Sequence, residues 1–266
     1  MPALGKVIPR IDARSKVTGE AQYPGDVNLD NQLYMKILFA GFPHGIIRSI
    51  DTSLAEKVPG VVAIFTAKHV PNNEYGLGSP DQPVLCGPGS TKEFGDHVRF
   101  VGDQVAIIIA ETDDIAIKAR ELIRLEYDAL PVISDVIEAM KDPQPIIHPD
   151  RGTNIFCHYK IRKGDIDSAI KNADVVVESV YKTPVQEHAF LQPEAGISYY
   201  DNEGRITVVV GGQWVHEDQE QIAHALNLPL EAIRIIYPAI GGAFGGREDM
   251  SVQIVLALAS YRLKER

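Results

Sequence analysis

The residues best suited to chemistry lie in a glycine-rich segment near the end of the sequence. Residues 240–249 read IGGAFGGRED, in which four glycines surround one aromatic residue, Phe244. The preceding run 232–237 is alternating and rich in β-branched residues, which is typical of a strand, whereas the long apolar run 250–261 is typical of a helix. Glycines at a strand-to-helix junction leave backbone N–H groups accessible, and a helix N-terminus there would favour an anionic ligand.

A phosphate-binding loop is one interpretation of this segment, because Gly241 and Gly246 have the spacing of the G-x-x-x-x-G-K-[ST] pattern. Two residues argue against it. Arg247 replaces the lysine that contacts phosphate, and Glu248 replaces the hydroxyl residue that holds Mg²⁺. Phe244 does not suit a tight phosphate nest, and it also breaks the G-x-G-x-x-G dinucleotide pattern. A purely structural turn, with glycine at positive φ, is the other alternative.

A second glycine motif, Gly211-Gly212-Gln213, follows the apolar run 206–210 and precedes the helix predicted at 216–226. Gln213 offers a side-chain donor at the end of a strand, while Phe244 offers an aromatic wall and Gly245 an unobstructed backbone N–H. Together these groups suit an oxygen-rich metal cofactor.

Composition limits the class of protein. The chain has 266 residues, 45% of them hydrophobic, and a net charge of −10, which argues against nonspecific binding to nucleic acid or to an anionic membrane. No apolar run approaches the ~20 residues of a membrane-spanning helix, so we expect a cytoplasmic protein. Cys86 and Cys157 are far apart in the sequence and form no C-x-x-C motif, so we expect reduced thiols and no iron–sulfur site.

Periodicity and turn residues divide the chain into two domains. We predict an N-terminal lead and first domain over 1–135, a linker rich in Pro, Asp and His over 136–160, and a second domain over 161–266. Strands are predicted at 33–40, 61–66, 98–110, 124–127, 175–182, 196–200, 206–210 and 232–237. Helices are predicted at 54–58, from 112 onward, at 165–173, 216–226 and 250–261.

The combination of GGQ at 211–213 with GGAFGGRED at 241–249 resembles the molybdenum-binding subunit of the xanthine dehydrogenase and aldehyde oxidase family. In the first half, FPHGIIRSIDT at 42–52, PGVVAIFTA at 59–67 and VRFVGDQVA at 98–106 resemble that family's a/b hammerhead domain. The resemblance implies an α+β fold, in which a hammerhead domain is followed by the first part of a molybdopterin-binding domain.

This resemblance also implies roles for individual residues. Gln213 would donate to the apical oxygen on molybdenum, and Gly242, Phe244 and Gly245 would contact the cofactor, with Gln213 and Phe244 nearest the metal. Glu248 matches a substrate-contacting carboxylate of purine-oxidising members; the alternative is a carboxylate that stabilises a helix N-terminus. We predict that Arg247 is a solvated surface charge, and that His188 is a packed, hydrogen-bonded residue and not a metal ligand.

The implied reaction is hydroxylation of a purine or related N-heterocycle, in preference to an aldehyde, with water as the oxygen source. The molybdenum–molybdopterin cofactor would be shared with the remainder of the molybdenum domain. Iron–sulfur clusters and FAD would lie on partner subunits. The general-base glutamate of the family has no counterpart here, so we expect no catalytic residue in this chain. A non-catalytic assembly or interaction module of the same fold remains the alternative.

Overall fold

The computed structural model describes residues 4–141 and 144–264. The described chain divides into two compact units: residues 4–132 together with 190–264 form the larger unit, and residues 133–189 form the smaller one. Each unit is described separately.

The secondary structure alternates between strands and helices. The strands are β1 (Tyr34–Phe39), β2 (Gly45–Asp51), β3 (Val61–Thr66), β4 (His97–Val98), β5 (Gln104–Ala110), β6 (Arg124–Ala129), β7 (Gly196–Tyr200), β8 (Ile206–Val210) and β9 (Ile233–Ile236). The helices are α1 (Ala13–Thr18), α2 (Asp113–Leu122), α3 (Val136–Ala139), α4 (Ile166–Lys171), α5 (Val215–Leu226) and α6 (Gln253–Lys264). Short 3₁₀ turns occupy Pro24–Asp26, Ala55–Lys57, Ala67–His69, Pro149–Arg151 and Leu230–Ala232.

The larger unit contains three three-stranded sheets. Their strand orders are β1-β5-β3, β4-β2-β6 and β7-β8-β9. The first two sheets are antiparallel throughout. In the third sheet β7 and β8 form an antiparallel hairpin, whereas β8 and β9 are parallel. The parallel pair requires a crossover connection, and the twelve-residue helix α5 supplies it.

The predicted strand at 98–110 is divided in two by a tight turn. The Asp103 carboxylate accepts hydrogen bonds from the backbone N–H groups of Arg99 (2.6 Å) and Phe100 (3.2 Å). These bonds satisfy the backbone locally, in place of a sheet ladder, so β4 ends at Val98 and β5 begins at Gln104. Beyond β5, the Thr112 hydroxyl accepts from the Ile115 N–H and caps α2, as the sequence predicts.

One buried cluster packs the third sheet against the first. It includes Phe65 and Ile107 of the first sheet together with Val208, Ile222 and Leu258, which lie on β8, α5 and α6. Every residue of β8 is buried. Burial of this kind is worth roughly 1.5–3 kcal/mol per large apolar side chain. The strand ends that carry the glycine motifs are therefore anchored in a packed core.

The smaller unit contains little regular structure. The helix predicted at 165–173 is present as α4. The strand predicted at 175–182 is not formed, and its apolar side chains, such as Val177 and Tyr181, are exposed. A strand needs a neighbour to pair with, and no described residue pairs with this segment.

Neither cysteine is in a disulfide: Cys86 is buried and Cys157 is exposed. Among the described residues, no helix is both long enough and apolar enough to cross a membrane.

Candidate functional site

The two glycine motifs meet at one edge of the third sheet. Because β8 and β9 are parallel neighbours, their carboxyl ends lie side by side, and the segments that follow them carry the two motifs. The Gln213 N–H donates to the Arg247 carbonyl at 3.1 Å, and the Arg247 N–H donates to Gln213 Oε1 at 3.3 Å. This exchange joins the motifs directly. Since Oε1 of Gln213 is engaged, Nε2 of this exposed side chain is the group that can donate to a ligand.

Three glycines of the motifs are required for different reasons. A Cβ on Gly212 would lie 2.2 Å from the Tyr237 hydroxyl oxygen, so close packing excludes any side chain there. Gly242 has φ +110°, and a Cβ would lie 3.0 Å from that of Phe190. Gly245 has φ +86°, and nothing lies within 4 Å of its Cβ position. The backbone at Gly245 therefore faces open space, as a ligand-contacting glycine should.

Phe244 lies at the tip of the second motif, and 78% of the residue's surface is exposed. Its φ of +51° is in the left-handed region, which is unfavourable for a non-glycine residue. Strain of this kind costs of order 1–3 kcal/mol and collects at ligand-binding sites. A strained backbone that holds a large aromatic ring away from the core indicates a surface for a ligand.

Arg247 is buried, with 2% of its surface exposed, so the prediction of a solvated surface charge is wrong. Its Nε donates to Glu194 Oε1 at 2.8 Å, and its two terminal nitrogens donate to the carbonyls of Gly242 (2.9 Å) and Gln192 (2.7 Å). The guanidinium also lies 3.9 Å from the Phe190 ring centroid. The segment 190–194, which is distant in sequence, supplies both the ion-pair partner and a hydrogen-bond acceptor for Arg247. The sequence around Arg247 does not predict these contacts. Arg247 thus holds the second motif from inside.

Gln192, which the sequence analysis did not single out, lies between the two motifs and is 8% exposed. Its Oε1 accepts from the Gly241 N–H (2.8 Å) and from Arg247 (3.2 Å), which fixes the orientation of the amide. Nε2 is buried and finds no acceptor among the described residues. A Cβ on Gly211 would lie 3.1 Å from this nitrogen. A buried unpaired donor is costly, and an acceptor on a bound group would satisfy it.

The structure excludes a phosphate loop at the helix N-terminus. Helix α6 begins at Gln253, well beyond the glycines, and Gln253 Oε1 accepts from the N–H groups of Ser251 (2.7 Å) and Val252 (2.9 Å). The amides at the start of this helix are therefore capped by the chain itself. Arg247, which a phosphate loop would direct at the ligand, faces the protein interior.

Glu248 is partly buried beside the second motif, and no hydrogen bond to its carboxylate is found within 4–141 and 144–264. The alternative role, stabilisation of a helix N-terminus, is wrong because α6 begins five residues later at Gln253. An unengaged carboxylate at the edge of the site can accept from a substrate.

His188 is not packed as predicted: its side chain is 43% exposed, and Nδ1 lies 3.9 Å from the Glu187 carboxylate. The described part of the chain has no cluster of three or more His, Cys, Asp or Glu side chains able to hold a metal ion.

A buried carboxyl group lies behind the first motif. Asp218 is 1% exposed, and its Oδ2 accepts from the Tyr237 hydroxyl and from Gln253 Nε2. Burial raises the pKa of Asp218 to about 6, although both hydrogen bonds oppose the shift. The pKa of Tyr237 is also raised, first by burial and then by its bond to Asp218. The sequence does not predict this pair, because an Asp within a helix and a Tyr after a strand form no recognisable motif.

These features fit a molybdopterin cofactor. Gln213 and Gln192 present amide donors, Gly245 presents open backbone, and Phe244 presents an aromatic face, all at the carboxyl ends of parallel strands, where ligands of α/β sheets bind. The donors are uncharged, as suits oxygen and ring-nitrogen acceptors.

Comparison with protein-family models gives two matches. Residues 18–131 match the a/b hammerhead domain of aldehyde oxidase and xanthine dehydrogenase, and residues 147–266 match the molybdopterin cofactor-binding domain. Both expected domains and the α+β fold are confirmed.

Curated relatives and solved structures agree with these matches. The chain is 38% identical to the nicotinate dehydrogenase large molybdopterin subunit of Eubacterium barkeri, over 98% of this chain and 60% of that protein. It is 37% identical to a probable xanthine dehydrogenase subunit of Bacillus subtilis, over 95% of this chain and 33% of that protein. The aldehyde oxidoreductase from Desulfovibrio desulfuricans superposes with a TM-score of 0.85 at 28% identity, over 98% of this chain and 30% of that one.

The chain thus spans between 30% and 60% of the length of each of these three proteins. Since the two domain matches account for most of its residues, and the glycine motifs lie within the second of them, the chain belongs to the xanthine dehydrogenase and aldehyde oxidase family of molybdopterin-binding proteins.

Proposed function

We propose that this chain forms one wall of the cofactor and substrate pocket of a molybdenum hydroxylase. Gln213, Gly242, Phe244 and Gly245 contact the molybdenum–molybdopterin cofactor, with Gln213 and Phe244 nearest the metal. Glu248 contacts the substrate.

The junction of the two glycine motifs carries this proposal. The hydrogen-bond exchange between Gln213 and Arg247 joins the two glycine motifs into a single surface, and the buried Nε2 of Gln192 beside it has no acceptor among the residues described. A structural turn would need neither an unpaired buried donor nor a strained, exposed Phe244.

When bound, the cofactor supplies two-electron oxidation of a carbon with water as the oxygen source. The residues of this chain bind the cofactor and orient the substrate. The Gln213 amide would hold the cofactor by donating a hydrogen bond to it, and the Phe244 ring would exclude water from one side of the pocket. The general-base glutamate comes from elsewhere.

The substrate we propose is a purine or related N-heterocycle. The Glu248 carboxylate can accept from ring N–H groups and so fix the carbon to be hydroxylated. Of the two N-heterocycles for which relatives are named, xanthine offers ring N–H groups, whereas the ring nitrogen of nicotinate carries no hydrogen. An aldehyde offers no N–H for this carboxylate.

The remaining parts of the active unit are also proposals. They are the rest of the molybdenum domain, an iron–sulfur subunit and an FAD subunit, with the whole assembly in the cytoplasm.

Within this chain we retain the division into a lead and hammerhead domain at 1–135, a linker at 136–160 and the first part of the molybdopterin-binding domain at 161–266.

Anaerobic copurification tests the proposal. The chain should isolate with partner polypeptides, and metal and pterin analysis of the intact assembly should find molybdenum and molybdopterin in proportion to the chain. An intact assembly without molybdenum would refute the proposal and favour a non-catalytic assembly module.

A further inference from the structure

Gln213 is held in place on both sides by one pair of side chains. On its N-terminal side, Gly212 packs against the Tyr237 hydroxyl, which leaves no room for a Cβ. On its C-terminal side, the backbone N–H of Trp214 donates to the same Tyr237 hydroxyl oxygen. The Tyr237 hydroxyl in turn donates to the Asp218 carboxylate.

We propose that Asp218 and Tyr237 are positioning residues for Gln213. The inference rests on the proposed function of Gln213 as a donor to the cofactor. Neither residue contacts the cofactor in this view. Asp218 orients the Tyr237 hydroxyl, and the hydroxyl fixes the end of β8 from which Gln213 projects.

Because of the groups around Asp218, the placement of Gln213 depends on the charge of the Asp218 carboxyl group. The groups that face its carboxyl are the Tyr237 hydroxyl and the Gln253 amide, and the Asp249 carboxylate acts on it as a nearby like charge. Burial is the largest cause of the raised pKa of Asp218, and no positively charged group is among the other causes. A protonated carboxyl is a weaker acceptor for Tyr237 than a carboxylate. The placement of Gln213 should therefore loosen when Asp218 takes up a proton.

Hydrogen exchange of the full 266-residue chain tests the hold on the backbone. The Gln213 N–H, which donates to the Arg247 carbonyl, should exchange about tenfold faster in Tyr237→Phe, the factor that corresponds to losing ~1.4 kcal/mol from one buried hydrogen bond. Ser49→Ala is the control, because it removes a hydroxyl that donates to the Glu126 carboxylate at 2.8 Å in the second sheet. If Tyr237→Phe stays within twofold of wild type, or if Ser49→Ala has an equal effect at Gln213, the proposal is wrong.

Fluorescence tests the role of the carboxyl group. Trp214 is the sole tryptophan of the chain and adjoins Gln213. Its emission should titrate with a midpoint near the pKa of Asp218, about 6, and the titration should vanish in Asp218→Asn. Tyr237→Phe should raise the midpoint, because the tyrosine hydrogen bond lowers that pKa.

His216, an exposed residue two positions after Trp214, provides the control because another ionisable side chain near the indole could also change its emission. His216→Gln should leave the titration unchanged. If His216→Gln abolishes it while Asp218→Asn does not, Asp218 has no part in placing Gln213. Both measurements use the chain without cofactor. If the exchange and fluorescence results are as expected but the assembly contains no molybdenum, the proposed function is refuted. The positioning of Gln213 by Asp218 and Tyr237 is then still supported.

Discussion

Replacement of Arg247 by lysine is the most informative perturbation of the site. Lysine keeps the positive charge and can keep the ion pair with Glu194. It cannot reproduce the planar fork that reaches the Gly242 and Gln192 carbonyls at 2.9 and 2.7 Å in different directions, nor the contact with the Phe190 ring.

The expected loss of unfolding free energy follows from the carbonyl groups that are left without a donor. The buried Gln192 carbonyl and the part-buried Gly242 carbonyl lose their donor, and each unsatisfied buried group costs ~1–3 kcal/mol. Because a lysine amine can recover part of one bond, we expect Arg247→Lys to lower the free energy of unfolding by ~2–4 kcal/mol. Solvent screening does not reduce this value, since the Arg247 side chain is 1% exposed.

Urea denaturation with an unchanged m-value measures this loss, and hydrogen exchange should localise the loosening to residues 241–247. Arg48→Lys is the matched control. Arg48 pairs with Asp128 at 2.6 Å, but both side chains are more than half exposed, so the substitution should cost under ~0.5 kcal/mol. If the two variants were equally stable, the argument that Arg247 holds the glycine motifs from inside would be refuted.

Four further predictions concern the site. Gly242→Ala should lower the melting temperature more than Gly245→Ala, because only Gly242 lacks room for a Cβ, whereas both have positive φ; equal losses would contradict the open space at Gly245. Burial raises the pKa of Asp218 to about 6 from an unfolded value near ~3.9, so its contribution to stability is present below pH ~4 and is lost as pH rises to about 6; Asp218→Asn should remove this slope from a series of denaturation curves. In the molybdenum-loaded assembly, Gln213→Ala should reduce kcat by roughly 10²-fold, as expected when one oriented hydrogen bond is lost, and unchanged turnover would exclude its role as donor. Glu248→Ala should reduce kcat/KM for N-heterocycles but not for aldehydes, and unchanged purine turnover would remove Glu248 from the substrate site.

Much of the fold could be predicted from local sequence. The alternating run before Tyr237, the buried run that became β5 and the Thr112 cap each produced the expected element, because backbone hydrogen bonding and burial there follow residue periodicity. The strand predicted at 175–182 failed for a physical reason: its pattern is that of a strand, but no described segment pairs with it.

The sequence by itself determined the glycines, the aromatic residue between them and Gln213, because these positions depend on backbone conformation and on the types of group offered to a ligand. The family resemblance followed from the same residues. Only the tertiary structure decided that Arg247 faces inward, that the Gln192 amide is left unpaired and that Asp218 and Tyr237 meet behind Gln213. Each of these depends on segments distant along the chain, since the charge of an arginine or the pKa of an aspartate is set by the groups that surround it after folding.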